Sequence, residues 1–423
     1  MVKVEEMVGS EIRRNRMSKV IVAVFAAYHL AVILLVSNTA PYPSDFDEHQ
    51  HISYVVHLLK DPRIFADTSL MFEVDENDLS KFDGPSIHLK HPTFYYHLMG
   101  LFADADGLDL AGNAARLRAV NTALSFLAVL IFLAAGRRLF REPERLLVFA
   151  AVLVLCPTAA ALGGMINNDN LALLGAAVAC AGLVRLLDGD DGPATALIIG
   201  AGFAAGALAK LTGGLLLGLM IAIVHVQARR ELFRPGKRKA LYLALLAVFA
   251  VIGMLPYLYS LHLHGTPIPR SAHLDGTGAI LGWFDFLMWF LYVIGYTWSI
   301  FNIDTADMAA PILLGGLFVY GTWSTRSREP AGSLARAGLI SVLVVLAINY
   351  GFNYSGHLDS GYMKGMHFRY YLPAWGAVAA GATLGVFALP WTMARRLAGG
   401  ALVGLQFYGH TFPFLAAIVE AAG

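Results

Sequence analysis

Apolar stretches long enough to cross a bilayer recur along almost the whole chain. The first follows Lys19 and continues to about Val36. About 20 consecutive apolar residues span the hydrocarbon core as an α-helix, so the pattern predicts an all-α polytopic membrane protein with about 11–12 transmembrane helices. The later stretches cover residues 117–136, 146–162, 171–187, 195–208, 211–226, 240–260, 305–323, 337–350, 370–391 and 400–418.

The first stretch predicts a membrane helix that is not removed by processing. It follows Arg13, Arg14 and Arg16, as a signal anchor does, but no Ala-x-Ala cleavage pattern comes after it. Residues 1–391, including the long loop 38–113, are predicted to form one transmembrane domain. Residues 392–423 are predicted to add a C-terminal membrane helix.

Charge is sparse and segregated, and its distribution predicts the topology. Only 14% of the 423 residues are charged and 57% are hydrophobic, far from the composition of a soluble domain. The loop 38–113 holds 13 of the 30 acidic residues but 4 of the 31 basic ones. Basic residues crowd into short loops near 137–145, 229–239, 326–336 and 395–396, which the positive-inside rule assigns to the cytoplasm with the N-terminus. The loop 38–113 is therefore predicted to lie outside.

Segment 281–303 does not fit this alternation as a full span, because it would place the loop with Arg326 and Arg328 outside. It is rich in tryptophan, which is enriched at the level of the lipid headgroups. We therefore predict an interfacial or re-entrant helix there. The shorter loops predicted to lie outside are 163–170, 261–280 and 351–369.

The outer loop 38–113 is itself predicted to be helical. Ile52, Val55, Val56 and Leu59 recur with the spacing of one apolar helix face. The stretch 91–99 is a second amphipathic segment, with a proline in its first turn, where proline suits a helix. Both segments fit helices lying along the outer membrane surface.

The outer loop opens with a cluster of ionisable residues directly after the first helix. Asp47 and Glu48 diverge by about 100° on a helix, so only one can face a given reacting atom, whereas His51 lies one turn after Asp47 on its face. A carboxylate beside an imidazole can act as a general base. With Asp45 and His49 the cluster could instead bind a divalent metal ion, although its spacing does not converge as HExxH does. Charged residues at this place could also simply mark the exit of a helix into water.

Short motifs in four separate segments form a recognisable series. They are Asp47-Glu48-x-x-His51, His91-Pro92-x-x-Tyr95-Tyr96, Asn167-Asn168-Asp169 and Arg369-Tyr370-Tyr371-Leu372-Pro373. This series resembles the integral-membrane glycosyltransferases of the GT-C fold, and among them the bacterial polyprenyl-phosphate-sugar-dependent enzymes related to the aminoarabinose and protein mannosyl transferases. The run from Arg116 to Phe140 and the stretch Ala209-Lys210-Leu211-Thr212-Gly213 are also similar to that family. The resemblance covers about residues 20–225 and then the Arg-Tyr-Tyr-Leu-Pro segment.

The resemblance implies a GT-C-like fold and sugar transfer on the outer face of a bacterial cytoplasmic membrane. In that family the acidic residue after the first helix is the catalytic base, and the matching position here is Asp47, with Glu48 and Asp169 as further candidate catalytic residues. Direct displacement assisted by one carboxylate predicts inversion at the anomeric carbon. The candidate substrate-binding residues are His51, His88, Lys90, His91, Tyr95, Asn168, Lys364, His367, Arg369 and Tyr370. The basic members of this set are predicted to bind the donor phosphate.

The implied partners are a polyprenyl-phosphate sugar donor, a lipid-linked or glycan acceptor and the lipid bilayer, with no nucleic acid. No cofactor is predicted, and a divalent metal ion stays open because some branches of the fold use one. Asp169 could instead cap a helix, Lys210 is predicted to snorkel between two apolar stretches, and Tyr370 and Tyr371 also fit an aromatic belt. The alternative functions are a membrane transporter and a non-catalytic scaffold for lipid-linked glycans. Transporters place ionisable residues near the bilayer midplane, whereas the acids here crowd into an outer loop.

Overall fold

Helices make up nearly all of the structure, which is a computed structural model. It describes residues 2–44, 47–63, 72–75, 78–85, 91–104, 110–232, 237–268, 280–298, 308–325, 329–361 and 367–422. The helices are α1 (Val2–Thr39), α2 (Glu48–Lys60), α3 (Phe94–Gly100), α4 (Leu110–Leu139), α5 (Pro143–Val154), α6 (Pro157–Gly163), α7 (Asp169–Leu187), α8 (Pro193–Ala209), α9 (Leu211–Leu232), α10 (Lys237–His264), α11 (Trp283–Tyr296), α12 (Ala309–Ser324), α13 (Pro330–Ser360), α14 (Trp375–Ala388) and α15 (Thr392–Ala422). A 3₁₀ helix, Phe368–Ala374, leads into α14.

The predicted all-α, multi-pass architecture is confirmed. Among the described residues, seven helices are long and apolar enough to cross a membrane, or eight if the bent pair of α5 and α6 counts as one span. The predicted number of about 11–12 also counted α8 and α12, which are apolar but only 17 and 16 residues long, and the stretch 400–418 within α15. One small addition is an antiparallel hairpin in the loop 38–113, formed by β1 (Phe72–Asp75) and β2 (Asp78–Pro85).

Two predicted segments differ in detail from the structure, and a third agrees with it. The stretch 146–162 is broken because α6 begins at Pro157, which cannot donate a backbone hydrogen bond to the preceding turn, and α5 and α6 meet at a bend of 58°. Helix α13 continues to Ser360, so most of the predicted loop 351–369 is helical, and Gly361 ends the helix in the left-handed conformation (φ 68°). The segment 281–303, which was predicted not to span the membrane fully, contains α11, and at 14 residues this helix is too short to cross a bilayer.

Small residues allow the central helices to approach closely. A Cβ atom added to Gly175 on α7 would lie 2.5 Å from the backbone nitrogen of Gly206 on α8. Next along the chain, the buried Lys210 is a single extended residue (φ −162°, ψ 140°) between α8 and α9. The packing of α7 against α8 therefore brings the start of α7 close to this break, and α2 and α3 of the loop 38–113 pack at the same end of the bundle.

Helices α2 and α3 form a second, smaller core with the ends of α4 and α7. Ile52 and Val55 are buried there, as the predicted apolar face of α2 requires. The rings of Tyr54 and Tyr96 stack with their centroids 3.8 Å apart, which binds α2 to α3. This core holds the beginning of α2 over the ends of the membrane helices.

Candidate functional site

A buried ion pair fixes the chain where α1 turns into α2. Glu48 is fully buried and accepts hydrogen bonds from Arg118 Nε (2.9 Å), Arg118 Nη2 (2.6 Å) and the Ile166 backbone N–H (2.8 Å). Arg118 on α4 also donates to the carbonyls of Ala40 and Pro41, both at 2.8 Å. The residue before Glu48, Asp47, takes the left-handed conformation (φ 58°). The pair therefore anchors Glu48 directly after a residue whose backbone conformation is uncommon for a non-glycine residue.

The Asp47 side chain meets an arginine from the far end of the sequence. Arg369 Nη2, on the 3₁₀ helix before α14, donates to Asp47 Oδ2 at 2.5 Å. Arg369 Nε lies 3.7 Å from Asp169 Oδ2, and this buried N–H has no hydrogen-bond partner among the described residues. The Arg369 side chain is 8% exposed and that of Asp47 is 34% exposed. Asp47 is thus the carboxylate of this cluster that solvent can reach, and Arg369 keeps one donor for a further acceptor.

A second buried ion pair lies beside the first. Lys210 Nζ donates to Asp169 Oδ1 at 2.9 Å and to Oδ2 at 3.1 Å, and both side chains are less than a tenth exposed. The ammonium also sits 4.1 Å from the centroid of the Tyr370 ring. Lys210 therefore does not snorkel to solvent as predicted. The Asp169 side chain pairs with a cation, while Asn168 occupies the N-cap position of α7 without a side-chain cap bond.

Three histidines surround the ion pairs without adding charge. His51 Nδ1 lies 3.0 Å from the Tyr96 hydroxyl oxygen, and the His51 ring stacks on the His91 ring with the two centroids 6.4 Å apart. Burial lowers the pKa of His51 to about 4 and that of His367 to about 4. The pKa of His91 is lowered by burial and then by the nearby Lys210 charge. The three imidazoles are therefore neutral at pH 7 and can exchange hydrogen bonds with a polar ligand.

The structure brings together most of the predicted site residues that it describes. Asp47, His51, His91, Asp169, His367, Arg369 and Tyr370 lie in this cluster. Tyr95 and Asn168 stand behind it: the Tyr95 hydroxyl donates to Asn121 Oδ1 (2.9 Å), and Asn168 Nδ2 donates to the Ala209 carbonyl (2.8 Å). The Glu48 carboxylate forms the buried ion pair with Arg118 and does not join this cluster. His88, Lys90 and Lys364 lie outside the described residues.

Sequence reasoning assigned no role in the site to two residues that the structure places there. Lys210 belongs to a stretch similar to the GT-C family, Ala209-Lys210-Leu211-Thr212-Gly213, and that similarity was the available signal. Arg118 belongs to the run from Arg116 to Phe140, which is also similar to the family. Both residues act through partners that are distant in sequence.

The described residues contain no group of three or more histidine, cysteine, aspartate or glutamate side chains arranged to hold a metal ion. Asp45, one of the possible ligands in the sequence, lies outside the described residues. Metal dependence therefore stays a prediction to be tested in solution.

Comparisons with known proteins agree with the fold. Residues 90–258, less than half of the chain, match a family model described as dolichyl-phosphate-mannose-protein mannosyltransferase. The crystal structure of ArnT from Cupriavidus metallidurans in the apo state aligns with a TM-score of 0.54 and 17% identity, over 95% of this chain and 63% of that one. The structure of the same protein bound to undecaprenyl phosphate gives a TM-score of 0.54 and 15% identity, over 95% and 64%. No curated protein sequence matches the chain.

These observations define the class of protein. The chain is a multi-pass membrane protein with the GT-C fold of integral-membrane glycosyltransferases. It spans less than two thirds of the length of the ArnT structures that it resembles. The resemblance inferred from the short motifs is thereby confirmed at the level of the fold.

Proposed function

We propose that the protein is a membrane glycosyltransferase that moves a sugar from a polyprenyl-phosphate donor to a hydroxyl group of a lipid-linked or glycan acceptor. The observation that carries this proposal is the convergence of Asp47, Asp169, Lys210 and Arg369 from four separate segments at one end of the bundle. The structural similarity to a protein that has been crystallised with undecaprenyl phosphate supports a lipid phosphate as part of the donor. The site would face the outer side of the bacterial cytoplasmic membrane, which the predicted topology supports.

The charges of the cluster suit a phosphate leaving group. Two carboxylates and two cations balance one another, so an entering phosphate must compete with a carboxylate for a cation. Asp47 is the more exposed carboxylate and the easier one to displace. The unpartnered Arg369 Nε–H offers a further hydrogen bond to a phosphate oxygen. Cations that are already in place stabilise the charge that develops on the phosphate as the glycosidic bond breaks.

Displacement from Arg369 would leave Asp47 free to act as the base. The acceptor hydroxyl oxygen attacks the anomeric carbon, its proton passes to Asp47, and the bond from that carbon to the phosphate oxygen breaks with its electron pair on the phosphate. Base assistance of this kind contributes typically about 10²–10⁴-fold to the rate. Attack from the side opposite the phosphate inverts the anomeric centre. Neutral His51, one turn after Asp47, can accept or donate a hydrogen bond to orient the acceptor.

The proposal is tested by transfer of label from undecaprenyl-phosphate sugars to an acceptor extract by purified protein in nanodiscs. We expect Asp47→Asn to lower transfer by about 10²-fold or more while donor binding survives. Asp61→Asn is the matched control, because Asp61 lies in the same loop and is half-exposed in a pair with Arg63. Equal transfer by wild type and Asp47→Asn would remove Asp47 as the base. Absence of transfer with a full set of donor sugars would favour a transporter or scaffold instead.

A further inference from the structure

The 3₁₀ helix that carries Arg369 is capped by a side chain from another part of the chain. The first N–H groups of a helix have no acceptor within that helix. Phe368 is the first residue of this one, and His367 before it makes no side-chain cap bond. The Phe368 N–H instead donates to Thr297 Oγ1 at 2.7 Å, across 71 positions of sequence. A threonine hydroxyl is a common acceptor at a helix N-terminus, and here it comes from the end of α11.

The Thr297 hydroxyl is held in direction by its own helix. It donates to the Ile294 carbonyl at 3.2 Å, while the same oxygen accepts the Phe368 N–H. The Thr297 N–H closes the last turn of α11 by donating to the Val293 carbonyl at 2.9 Å. The hydroxyl therefore has a donor role towards α11 and an acceptor role towards the 3₁₀ helix.

Helix α6 holds the end of α11 from the other side. The Thr158 hydroxyl, which is buried, donates to the Trp298 carbonyl at 2.6 Å and lies 3.1 Å from the Thr297 carbonyl oxygen. The Trp298 ring packs edge-on against the Phe368 ring with the two centroids 4.6 Å apart. It also contacts the Trp375 ring at a centroid distance of 5.3 Å. The residues around Thr297 thus leave it little freedom to move relative to the 3₁₀ helix.

The beginning of α11 is tied to the last turns of α13. The Leu281 N–H donates to His357 Nε2 at 2.8 Å, and the Tyr350 hydroxyl donates to the Trp283 carbonyl at 2.6 Å. Helix α11 is too short to cross a bilayer, yet it is fixed at both of its ends. Such a helix is suited to hold a neighbouring segment in place.

We infer that Thr297 is a positioning residue for Arg369, and that α11 is the element that holds it there. The inference rests on the proposed function for the role of Arg369, which is to bind the donor phosphate. Arg369 directly follows the capped Phe368, and its guanidinium lies 2.5 Å from Asp47. Loss of the cap would free the first turn of the 3₁₀ helix and shift the guanidinium. Charge-assisted hydrogen bonds depend steeply on distance and angle, so phosphate binding would weaken.

Three variants separate the hydroxyl from the rest of the side chain. Thr297→Val removes the hydroxyl and keeps a β-branched side chain, whereas Thr297→Ser keeps the hydroxyl. Thr383→Val on α14 is the matched control. Thr383 is buried and its hydroxyl donates to the Ala379 carbonyl of its own helix at 2.8 Å, so its removal leaves no N–H without an acceptor.

Binding of undecaprenyl phosphate is measured in nanodiscs. We expect Thr297→Val to raise the Kd about tenfold at unchanged stoichiometry, Thr297→Ser to stay close to the wild type, and Thr383→Val to change nothing. A purely structural defect would instead lower the number of binding sites and leave the Kd of the remaining sites unchanged. That result would overturn the inference.

Hydrogen exchange gives a second readout that does not depend on activity. The peptide 367–375 should exchange faster in Thr297→Val than in the wild type, because the Phe368 N–H loses its acceptor, and Thr297→Ser should restore slow exchange. Equal exchange in Thr297→Val and the wild type would refute the cap.

Binding and transfer together separate this inference from the proposed function. Equal Kd values for Thr297→Val and Thr297→Ser, in a protein that transfers sugar, would refute the positioning role and leave the glycosyltransferase standing. A raised Kd in Thr297→Val alone, in a protein that transfers nothing from a full set of donor sugars, would support the positioning role and refute the enzyme. Failure of the wild type to bind undecaprenyl phosphate would overturn both.

Discussion

Removal of the Arg118 guanidinium is the most informative test of how the site is built. Arg118 makes five hydrogen bonds, two to Glu48 and three to the carbonyls of Ser37, Ala40 and Pro41. Arg118→Met keeps an unbranched apolar stem at this position but removes all five hydrogen bonds. Glu48 would then remain fully buried with only the backbone N–H groups of Ile166 and Ser44 as partners.

The size of the effect follows from burial of the pair. Both side chains are at most 6% exposed, and loss of one partner from a buried ion pair typically costs about 3–5 kcal/mol, since the other charge is left uncompensated. For a chain of this size, that corresponds to a fall in Tm on the order of 5 °C. Sugar transfer should fall further than Tm suggests, because these contacts anchor Glu48, the residue next to the proposed base Asp47.

The assay is thermal unfolding of purified protein in one detergent, with transfer measured in parallel. Arg118→Met combined with Glu48→Gln should recover part of the lost Tm, since the buried charge is then neutralised. Arg63→Met is the control, because its pair with Asp61 is half-exposed and worth at most about 1 kcal/mol. A Tm for Arg118→Met equal to that of Arg63→Met, or a double variant no more stable than the single one, would refute the reasoning.

Three further outcomes are expected. Lys210→Met should lower Tm and abolish donor binding, because it leaves Asp169 buried beside one cation instead of two. Lys210→Arg should restore part of the Tm and part of the donor binding. A donor affinity that is unchanged in Lys210→Met would contradict the proposal that Lys210 binds the donor phosphate. The free energy of unfolding should fall by at most roughly 3 kcal/mol, for His51 alone, as pH drops from about 6.5 towards 4. The reason is that His51 binds a proton in the unfolded chain over this range, whereas burial keeps it neutral in the folded protein. His51→Gln should reduce this pH dependence in thermal unfolding scans. Gly321→Leu should prevent stable folding, since a Cβ atom there would overlap the Gly381 carbonyl of α14, and normal yield and Tm would contradict this.

The helices could be predicted from the sequence because one physical requirement dominates them. A membrane helix must be apolar over its whole length, so its presence can be seen within a single window of residues. The ends of the helices were harder to predict where the backbone chemistry of one residue overrides the hydropathy pattern. Pro157 is an example, because it starts a new helix inside an apolar stretch. The extension of α13 to Ser360 was missed because its last turns are polar while its backbone stays helical up to Gly361.

The candidate site was harder to predict because its contacts join residues that are far apart in the chain. Lys210 had a satisfactory local explanation as a snorkelling side chain, and Asp169 had one as a helix cap, but the two lie 41 positions apart and neutralise each other. Asp47 and Arg369 are separated by 322 positions. Only the similarity to a known family predicted that these residues share one site. That similarity did not predict the ion pair between Glu48 and Arg118.

The arrangement of charges suggests an order of events at the site. In the structure each carboxylate of the cluster already has a cation, so burial of these groups is tolerated without a ligand. Under the proposed function, the same pairing would make Asp47 a weak base in the resting site, because Arg369 stabilises its ionised carboxylate. A phosphate that bound Arg369 in place of Asp47 would release the carboxylate when the leaving group is already in the site. Base action would thus be coupled to donor binding, and water that reached the partly exposed Asp47 beforehand would find no activated sugar to attack.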